Sequence, residues 1–275
     1  MTLVAVTQMT SNDDVSTNLD VVEGNVAKAV ARGAELVLVP ECFAFMGREE
    51  DYFGISEVLP RDGETGGPIY SRCAAMARAH QVEIIFGGFW ERGDERVRNA
   101  SVQIRADGSL GEVYRKIHLF DVDLADGTKL CESAMVEAGT ETVLAQTPAG
   151  PVGMSICYDL RFSGLYRELV DQAAKILTVP AAFTLMTGKD HWEVLLRARA
   201  IEQQSYVLAS AQVGSHVFVD GSGTRQSWGH AMIIDPWGTV LAQCGAGEGV
   251  AVADIDLAEV DRVRRQLPSL RHRRR

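Results

Sequence analysis

The chain has no C-x-x-C pair, no cationic run ahead of its first apolar segment and no excess of positive charge. Nor does any stretch approach the roughly 20 consecutive apolar residues that a membrane span requires. Each absence removes a class of function. The five cysteines (Cys42, Cys73, Cys131, Cys157 and Cys244) are odd in number and widely spaced. That pattern argues against a disulfide framework and against a zinc site. Thiol-redox chemistry would need a resolving cysteine at close spacing, and none is present. A formal charge of −10 repels a phosphate backbone, so nucleic acid is not an expected partner. The one basic run, residues 271–275, reads as a solvated, frayed terminus. The opening Met1-Thr-Leu-Val-Ala-Val reads as a strand rather than a signal peptide, and reduced thiols fit a cytoplasmic protein.

What is there suits a single α/β domain. With 275 residues and 46% hydrophobic content, the chain can build a sizeable core. Residues 3–8 form an apolar strand. A helix capped by Ser16 or Thr17 should run to about Arg32, with Leu19, Val22, Val26, Ala29 and Val30 on one face and Gly33 as its stop. Residues 35–40 are a continuous apolar run of the kind buried on both faces of a covered sheet. Residues 43–67 are irregular, 68–80 helical and 82–89 extended. Strands at 98–104 and 110–114 flank Asp107-Gly108, a strong hairpin signal. Residues 121–139 form a long polar connection. Strands at 141–146 and 152–156 precede a helix at 163–173 and a strand at 175–180. The next helix, 191–204, carries an apolar stripe of Val194, Leu195, Ala198 and Ile201. Strands at 206–213, 230–234, 239–242 and 250–255 and a helix at 259–265 complete the chain. Residues 33–40 resemble residues 173–180, which hints at two related βαβ halves. No linker or low-complexity segment interrupts 1–275, of which about 266–275 is a tail.

One stretch organises the rest: Gly150-Pro-Val-Gly-Met-Ser-Ile-Cys-Tyr-Asp-Leu-Arg161. A buried strand runs into Cys157, and polar residues follow at once. This suggests a nucleophile presented at a strand-to-loop corner. The alternative is a small buried residue, the common fate of a free cysteine. Ligands of open α/β sheets bind beyond the carboxyl ends of strands, and three such ends carry Glu41, Lys116 and Cys157. Converging, they have a chemical logic. A nearby cation favours thiolate, a carboxylate moves protons, and an ammonium holds the oxygen of a tetrahedral adduct. Spacing alone leaves open that the lysine and glutamate are solvated strand-end charges. A Cys–His pair built on His118, His191 or His230 is the chemical rival.

Pro40-Glu41, Tyr114-Arg-Lys-Ile-His-Leu-Phe-Asp-Val-Asp123 and Ser155-Ile-Cys-Tyr-Asp-Leu-Arg-Phe162 resemble, in order, the three catalytic motifs of the nitrilase, or carbon–nitrogen hydrolase, superfamily. The similarity extends from the first strand to Leu267-Pro268. It implies Glu41 as general base, Lys116 as oxyanion-stabilising cation, Cys157 as nucleophile and a contribution from the Tyr158 backbone N–H. Glu132 falls where the family often has a second glutamate that positions the lysine. Residues 87–93, 191–202 and 229–238 look like blocks of the amidase branch that includes deaminated glutathione amidase and ω-amidase, more like the former. The resemblance implies a nitrilase-like αββα sandwich of two mixed sheets flanked by helices, working as a homodimer or higher oligomer whose tail crosses to the neighbour. It further implies a metal-free, cofactor-free amidase cleaving a small-molecule amide of an α-keto acid through a cysteine thioester. ω-Amidase, N-carbamoyl hydrolase, nitrilase and silent-scaffold roles are the alternatives.

Residues 180–188 match the family's substrate loop, so Phe183, Thr187, His191, Arg48 and Lys189 are the expected substrate contacts. Arg161 is a further candidate for an anion clamp, while Arg197 and Arg199 read as structural ion-pair partners. Lys189-Asp190 departs from the family's usual Pro-Ala. Residues 214–227 carry a glycine-rich insertion, Asp220-Gly-Ser-Gly223. Both departures bear on substrate choice.

Overall fold

The computed structural model describes residues 1–60, 64–123, 129–221 and 224–274. The chain opens with β1 (Thr2–Met9), α1 (Val15–Val30), β2 (Leu36–Val39), the short α2 (Tyr52–Ile55) and α3 (Pro68–His80). There follow β3 (Glu83–Arg92), β4 (Val97–Ile104), β5 (Leu110–Arg115), and a small hairpin of β6 (Asp121–Asp123) and β7 (Lys129–Cys131). The second half contains β8 (Leu144–Thr147), β9 (Gly150–Met154), α4 (Ser163–Asp171), β10 (Ile176–Thr178) and α5 (Leu185–Gln203). It ends with β11 (Tyr206–Ala209), β12 (Ala211–Val217), β13 (Thr224–Trp228), β14 (Met232–Ile234), β15 (Val240–Gln243), β16 (Gly249–Ile255), α6 (Leu257–Gln266) and α7 (Ser269–His272).

Two mixed sheets face one another. The first is ordered β13-β12-β1-β2-β3-β4-β5, with β16 also paired to β1; the second is ordered β15-β14-β11-β10-β9-β8. Side-chain alternation along each strand explains the layering. Val4, Val6, Leu36 and Leu38 turn inward and share one core with Val152, Met154, Ile176 and Val207 of the other sheet. Their neighbours Ala5, Val37 and Val39 turn outward and pack beneath α1 and α3, against Leu19, Val22, Ile69 and Cys73. α4 and α5 cover the far face of the second sheet through Leu165, Leu169, Trp192 and Leu196. The result is the αββα sandwich.

The two sheets are stitched at Ser210. The apolar run at 206–213 reads as one strand, but the chain leaves the second sheet after Ala209 and enters the first at Ala211. Ser210 Oγ donates to the Leu38 carbonyl at 2.6 Å and accepts from the Thr7 amide at 3.2 Å, which satisfies the crossing. The similar segments 33–40 and 173–180 become β2 and β10, one in each sheet. Gly87 of β3 lies between their ends: a Cβ there would fall 2.1 Å from Pro180 Cβ and 3.0 Å from the Val39 carbonyl oxygen, so only glycine fits.

Three local readings need correcting. α1 is capped by Asp14, whose carboxylate accepts from the Thr17 amide at 3.0 Å, rather than by Ser16 or Thr17. A carboxylate is the stronger acceptor at the positive end of a helix. α5 begins at Leu185, with Thr184 as its cap, and buries Trp192, Leu196, Arg199, Ala200 and Gln203. Val194 and Ile201, expected inside, are 67% and 50% exposed. Arg199 tolerates burial because its guanidinium donates twice to the Leu160 carbonyl (3.1 and 2.9 Å) and pairs with Glu202 at 2.8 Å. Arg197 pairs with Glu193 on the outer face. Finally, the glycine-rich segment 214–227 contains the β12–β13 hairpin, although Ser222 and Gly223 of its Asp220-Gly-Ser-Gly223 motif lie outside the described residues. In the tail, Arg273 reaches Asp171 and Gln203 of its own chain. Among the described residues no helix is long and apolar enough to cross a membrane.

Candidate active site

Cys157 follows β9 by three residues and opens a 3-10 turn, Cys157–Arg161. Its backbone is left-handed, with φ = 49°. The strained corner is held from both sides. The Cys157 amide donates to the Pro180 carbonyl at 2.9 Å, and the preceding Ile156 amide donates to Asp159 Oδ2 at 2.9 Å. Asp159, fully buried, also accepts the Tyr114 hydroxyl (2.7 Å) and the His118 amide (3.1 Å). One carboxylate thus pins the Cys157 corner to the segment that carries Lys116.

Glu41 lies two residues past β2 and is 4% exposed. Its Oε1 accepts from Lys116 Nζ at 3.1 Å and from Asn99 Nδ2 at 2.9 Å. Its Oε2 accepts the Ala182 amide at 2.9 Å, and the Cys157 thiol lines the same cavity. Lys116, at the end of β5 and 2% exposed, also donates to Glu132 Oε2 and Oε1 at 2.8 and 3.0 Å. Glu132 is fixed in turn by the Phe120 amide at 2.6 Å and by Asn99 Nδ2 at 3.1 Å. Glu41, Lys116, Glu132 and Cys157 therefore converge, and Asn99 of β4 bridges the two carboxylates. Asn99 escaped the sequence reading. The available signal was an amide side chain inside an apolar strand, a setting that disfavours asparagine.

The charges explain one another. Burial by itself would lower the Lys116 pKa, but Glu132, Glu41 and Cys157 outweigh it and hold the ammonium well above its ordinary value. Burial would likewise raise Glu41, but the Lys116 charge and hydrogen bonds from Cys157, Lys116 and Asn99 pull it below the usual carboxylate value. The Cys157 thiol goes the other way. Burial raises its pKa well above the ordinary thiol value, Glu41 adds to the rise, and Lys116 offsets only part of it. A cation-stabilised thiolate was the sequence expectation. The arrangement instead holds a neutral thiol against an ionised carboxylate, because burial and the Glu41 charge together outweigh the ammonium.

These groups open onto a cavity of ≈ 760 Å³, lined also by Tyr52, Trp90, Leu185, Met186, Lys189 and Arg225. Of the expected substrate contacts, Lys189 is in the lining, whereas Phe183, Thr187, His191 and Arg48 are not. Phe183 packs on Trp192 with ring centroids 4.9 Å apart. Thr187 meets the Thr184 hydroxyl at 2.9 Å, and His191 faces Arg161 at 3.3 Å. Arg48 bridges to Asp220 at 2.6 Å. Tyr158 lies edge-on to Phe120 and Phe162. No histidine lines the cavity among the described residues, which removes support from a Cys–His pair. His118 is engaged by Asp159 at 2.7 Å and stacks on Phe162. Among the described residues no group of three or more His, Cys, Asp or Glu side chains is arranged to hold a metal ion.

Comparison with known proteins agrees with this geometry. The deaminated glutathione amidase of Synechocystis is 44% identical over 278 residues, covering 98% of this chain and 97% of that protein. The Homo sapiens deaminated glutathione amidase is 40% identical, over 99% of this chain and 82% of that protein. Among solved structures, the Caenorhabditis elegans NitFhit protein matches with TM-score 0.88 and 38% identity, over 99% of this chain but 65% of that longer one. Saccharomyces cerevisiae Nit3, a member of branch 10 of the nitrilase superfamily, matches with TM-score 0.83 and 27% identity, over 97% of this chain and 94% of that one. The carbon-nitrogen hydrolase family model matches residues 3–265. With nearly its whole length accounted for and an acid, an amine and a thiol gathered at one cavity, the chain belongs to the carbon–nitrogen hydrolase family and is an enzyme of that class.

Proposed function

We propose that residues 1–275 act as one domain that hydrolyses a deaminated-glutathione-like amide, an α-keto acyl half joined to an amine half, through a thioester on Cys157. The single observation that carries this reading is that Glu41, paired with the Lys116 ammonium at 3.1 Å, shares one cavity with the Cys157 thiol. A neutral thiol needs a base within reach, and Glu41 is that base. As Sγ attacks the amide carbon, the thiol proton passes to the Glu41 carboxylate. The oxygen then turns negative beside Lys116, and the amide of Tyr158, at the start of a helical turn with no partner inside it, adds a second donor. Glu41 returns the proton to the amide nitrogen, the C–N bond breaks, and the amine departs. Water then attacks the thioester with Glu41 as base again, giving the keto acid and restoring the thiol. Glu132 keeps Lys116 in place throughout.

The cavity volume favours this substrate over a small primary amide such as α-ketoglutaramate, the ω-amidase alternative, which would leave much of the space unfilled. The test is product release from a panel of deaminated glutathione, α-ketoglutaramate, simple aliphatic amides, N-carbamoyl amino acids and nitriles. The expected result is that deaminated glutathione has the highest kcat/KM of the panel. A higher value for α-ketoglutaramate would transfer the assignment to ω-amidase.

The same reading takes the working enzyme as a homodimer. Its support is the outer side of α5, where Val194 and Ile201 are exposed beside Trp237, which is 57% exposed. Arg197 Nε donates to the Gly238 carbonyl at 2.9 Å and fastens the loop that carries Trp237 against the helix. Sedimentation at micromolar concentration should give twice the mass of one chain, and a monomer would remove this part of the reading.

A further inference from the structure

Two carboxylates already occupy Lys116, yet the same cavity contains three more cations: Lys129, Lys189 and Arg225. Lys129 is 78% exposed and lies 3.4 Å from Asp123. Lys189 sits on the exposed side of α5. Arg225 differs from both. It projects from β13, and its side chain is only 32% exposed.

The placement of Arg225 is rigid. β13 pairs with β12 through His216 opposite Arg225, and the buried His216 ring spans Ser11 and Ser227 at 2.8 and 2.9 Å. The Trp228 amide donates to the Phe183 carbonyl at 3.0 Å. That carbonyl belongs to the loop whose Ala182 amide holds Glu41. The catalytic carboxylate and Arg225 are thus tied to a common loop.

Its bonding is slack. Arg225 reaches Glu49 at 3.3 Å and the Tyr52 hydroxyl at 3.4 Å, and it makes no other hydrogen bond among the described residues. Two other arginines with buried or half-buried partners, Arg115 and Arg264, close their contacts more tightly. Arg115 grips Glu91 with two bonds of 2.5 and 2.6 Å, and Arg264 reaches the Ala174 carbonyl and the Ser205 hydroxyl at 2.9 Å each. A charge-assisted pair normally closes to 2.7–2.9 Å. Arg225 therefore keeps most of its five N–H donors available, inside a wall made apolar by Met46, Trp90 and Val136. Tyr52 is held flat against Trp90, with centroids 4.0 Å apart, so the hydroxyl beneath the guanidinium is fixed.

The side of the cavity decides which part of a substrate it meets. Glu41 must hand its proton to the leaving nitrogen, so the amine half lies over Glu41. Cys42 follows Glu41 in the chain and belongs to the same buried cluster as Tyr52, whose hydroxyl Arg225 reaches at 3.4 Å. Arg225 is therefore on the Glu41 side, where the amine half extends. We propose that Arg225 binds a carboxylate at the far end of the leaving amine, so that the enzyme selects amides whose amine half is a short peptide with a free C-terminus. This rests on the reading given under Proposed function and adds to it the recognition of the leaving half.

The test uses deaminated glutathione and the same compound with its terminal carboxylate capped as an N-methylamide, following release of the α-keto acid. The readout is the ratio of the two kcat/KM values, which a loss of folded enzyme does not move. Wild type should favour the free carboxylate by at least about 10-fold, the scale on which a site built for a polar group rejects the analogue lacking it. Arg225→Gln should bring the ratio to within about 2-fold, and Arg225→Lys should fall between, because an ammonium keeps the charge but not the fork. Glu49→Gln, which removes the competing carboxylate, should raise the ratio above wild type. A wild-type ratio retained by Arg225→Gln overturns the proposal, as does a wild type that cleaves both compounds equally; in either case the thioester reading stands. A wild type that cleaves neither compound removes both.

Discussion

Cys157→Ala is expected to abolish hydrolysis while leaving the fold in place. The proposed thioester forms on Cys157 Sγ, and alanine offers no nucleophile in its place. The structural cost is small. The left-handed backbone at residue 157 strains alanine no more than cysteine, and only one buried heavy atom is lost, worth about 1 kcal/mol. The informative partner is Cys157→Ser. A hydroxyl is far harder to ionise than a thiol, and Glu41 is held below the usual carboxylate value, so it is a weak base for that task. The serine variant should be nearly as silent as the alanine variant. Keto acid release, with thermal melting to verify folding, measures both. Turnover by folded Cys157→Ala would remove the thioester from the mechanism.

Lys116→Ala should lose at least about 10²-fold in kcat, the scale seen when an oxyanion donor is removed. It should also destabilise the protein by roughly 3–5 kcal/mol at neutral pH, because one partner of a buried ion pair is gone. That destabilisation has a predictable pH dependence. In the wild type the Glu41 pKa is depressed, so its contribution to stability is present above the unfolded-state pKa and is lost as pH falls through the lower folded-state value. Without the ammonium, Glu41 and Glu132 face each other with side chains only 5% and 12% exposed. Burial and the neighbouring carboxylate then raise the Glu41 pKa above that of the unfolded chain, and the native variant takes up a proton that the unfolded chain does not. The stability gap between variant and wild type should therefore narrow on acidification. Melting both proteins at about pH 8 and pH 5 tests this. An equal gap at both values would mean that the carboxylates do not depend on Lys116, and an unchanged kcat would exclude it from the chemistry.

Much of the sandwich is legible in the sequence for definite reasons. The apolar strand at 3–8 and the continuous run at 35–40 have the composition of strands whose faces are both covered. Pro68 and the apolar spacing after it bound α3 from 68 to 80. Asp107-Gly108 supplies the left-handed residue that the β4–β5 turn requires, since Gly108 has φ = 80°. What was missed depends on tertiary partners. α5 turns Val194 outward and Arg199 inward because the Leu160 carbonyl and Glu202 await the guanidinium, and periodicity counts that position as polar. β13 is hidden by the glycines on either side of it, Gly221 and Gly223 before and Gly229 after. At the site, the three motif residues stood out by their places at strand ends. Asn99 and Arg225 did not, because an amide and a guanidinium in unremarkable strands acquire meaning only from the carboxylates and the cavity beside them. The state of the thiol was also hidden: whether one ammonium can ionise a cysteine depends on how deeply the sulfur is buried and on the carboxylate beside it, and both become visible only in three dimensions.

The torsion at residue 157 carries a consequence for how such a sequence drifts. A left-handed position is eased by glycine and resisted by every other amino acid, most strongly by threonine and other β-branched types. Selection for thermal robustness alone would push this position toward glycine and erase the reactive atom. A lineage that keeps sulfur there is accepting a local penalty for the sake of turnover, and idle duplicates freed from that demand are where glycine should first take hold.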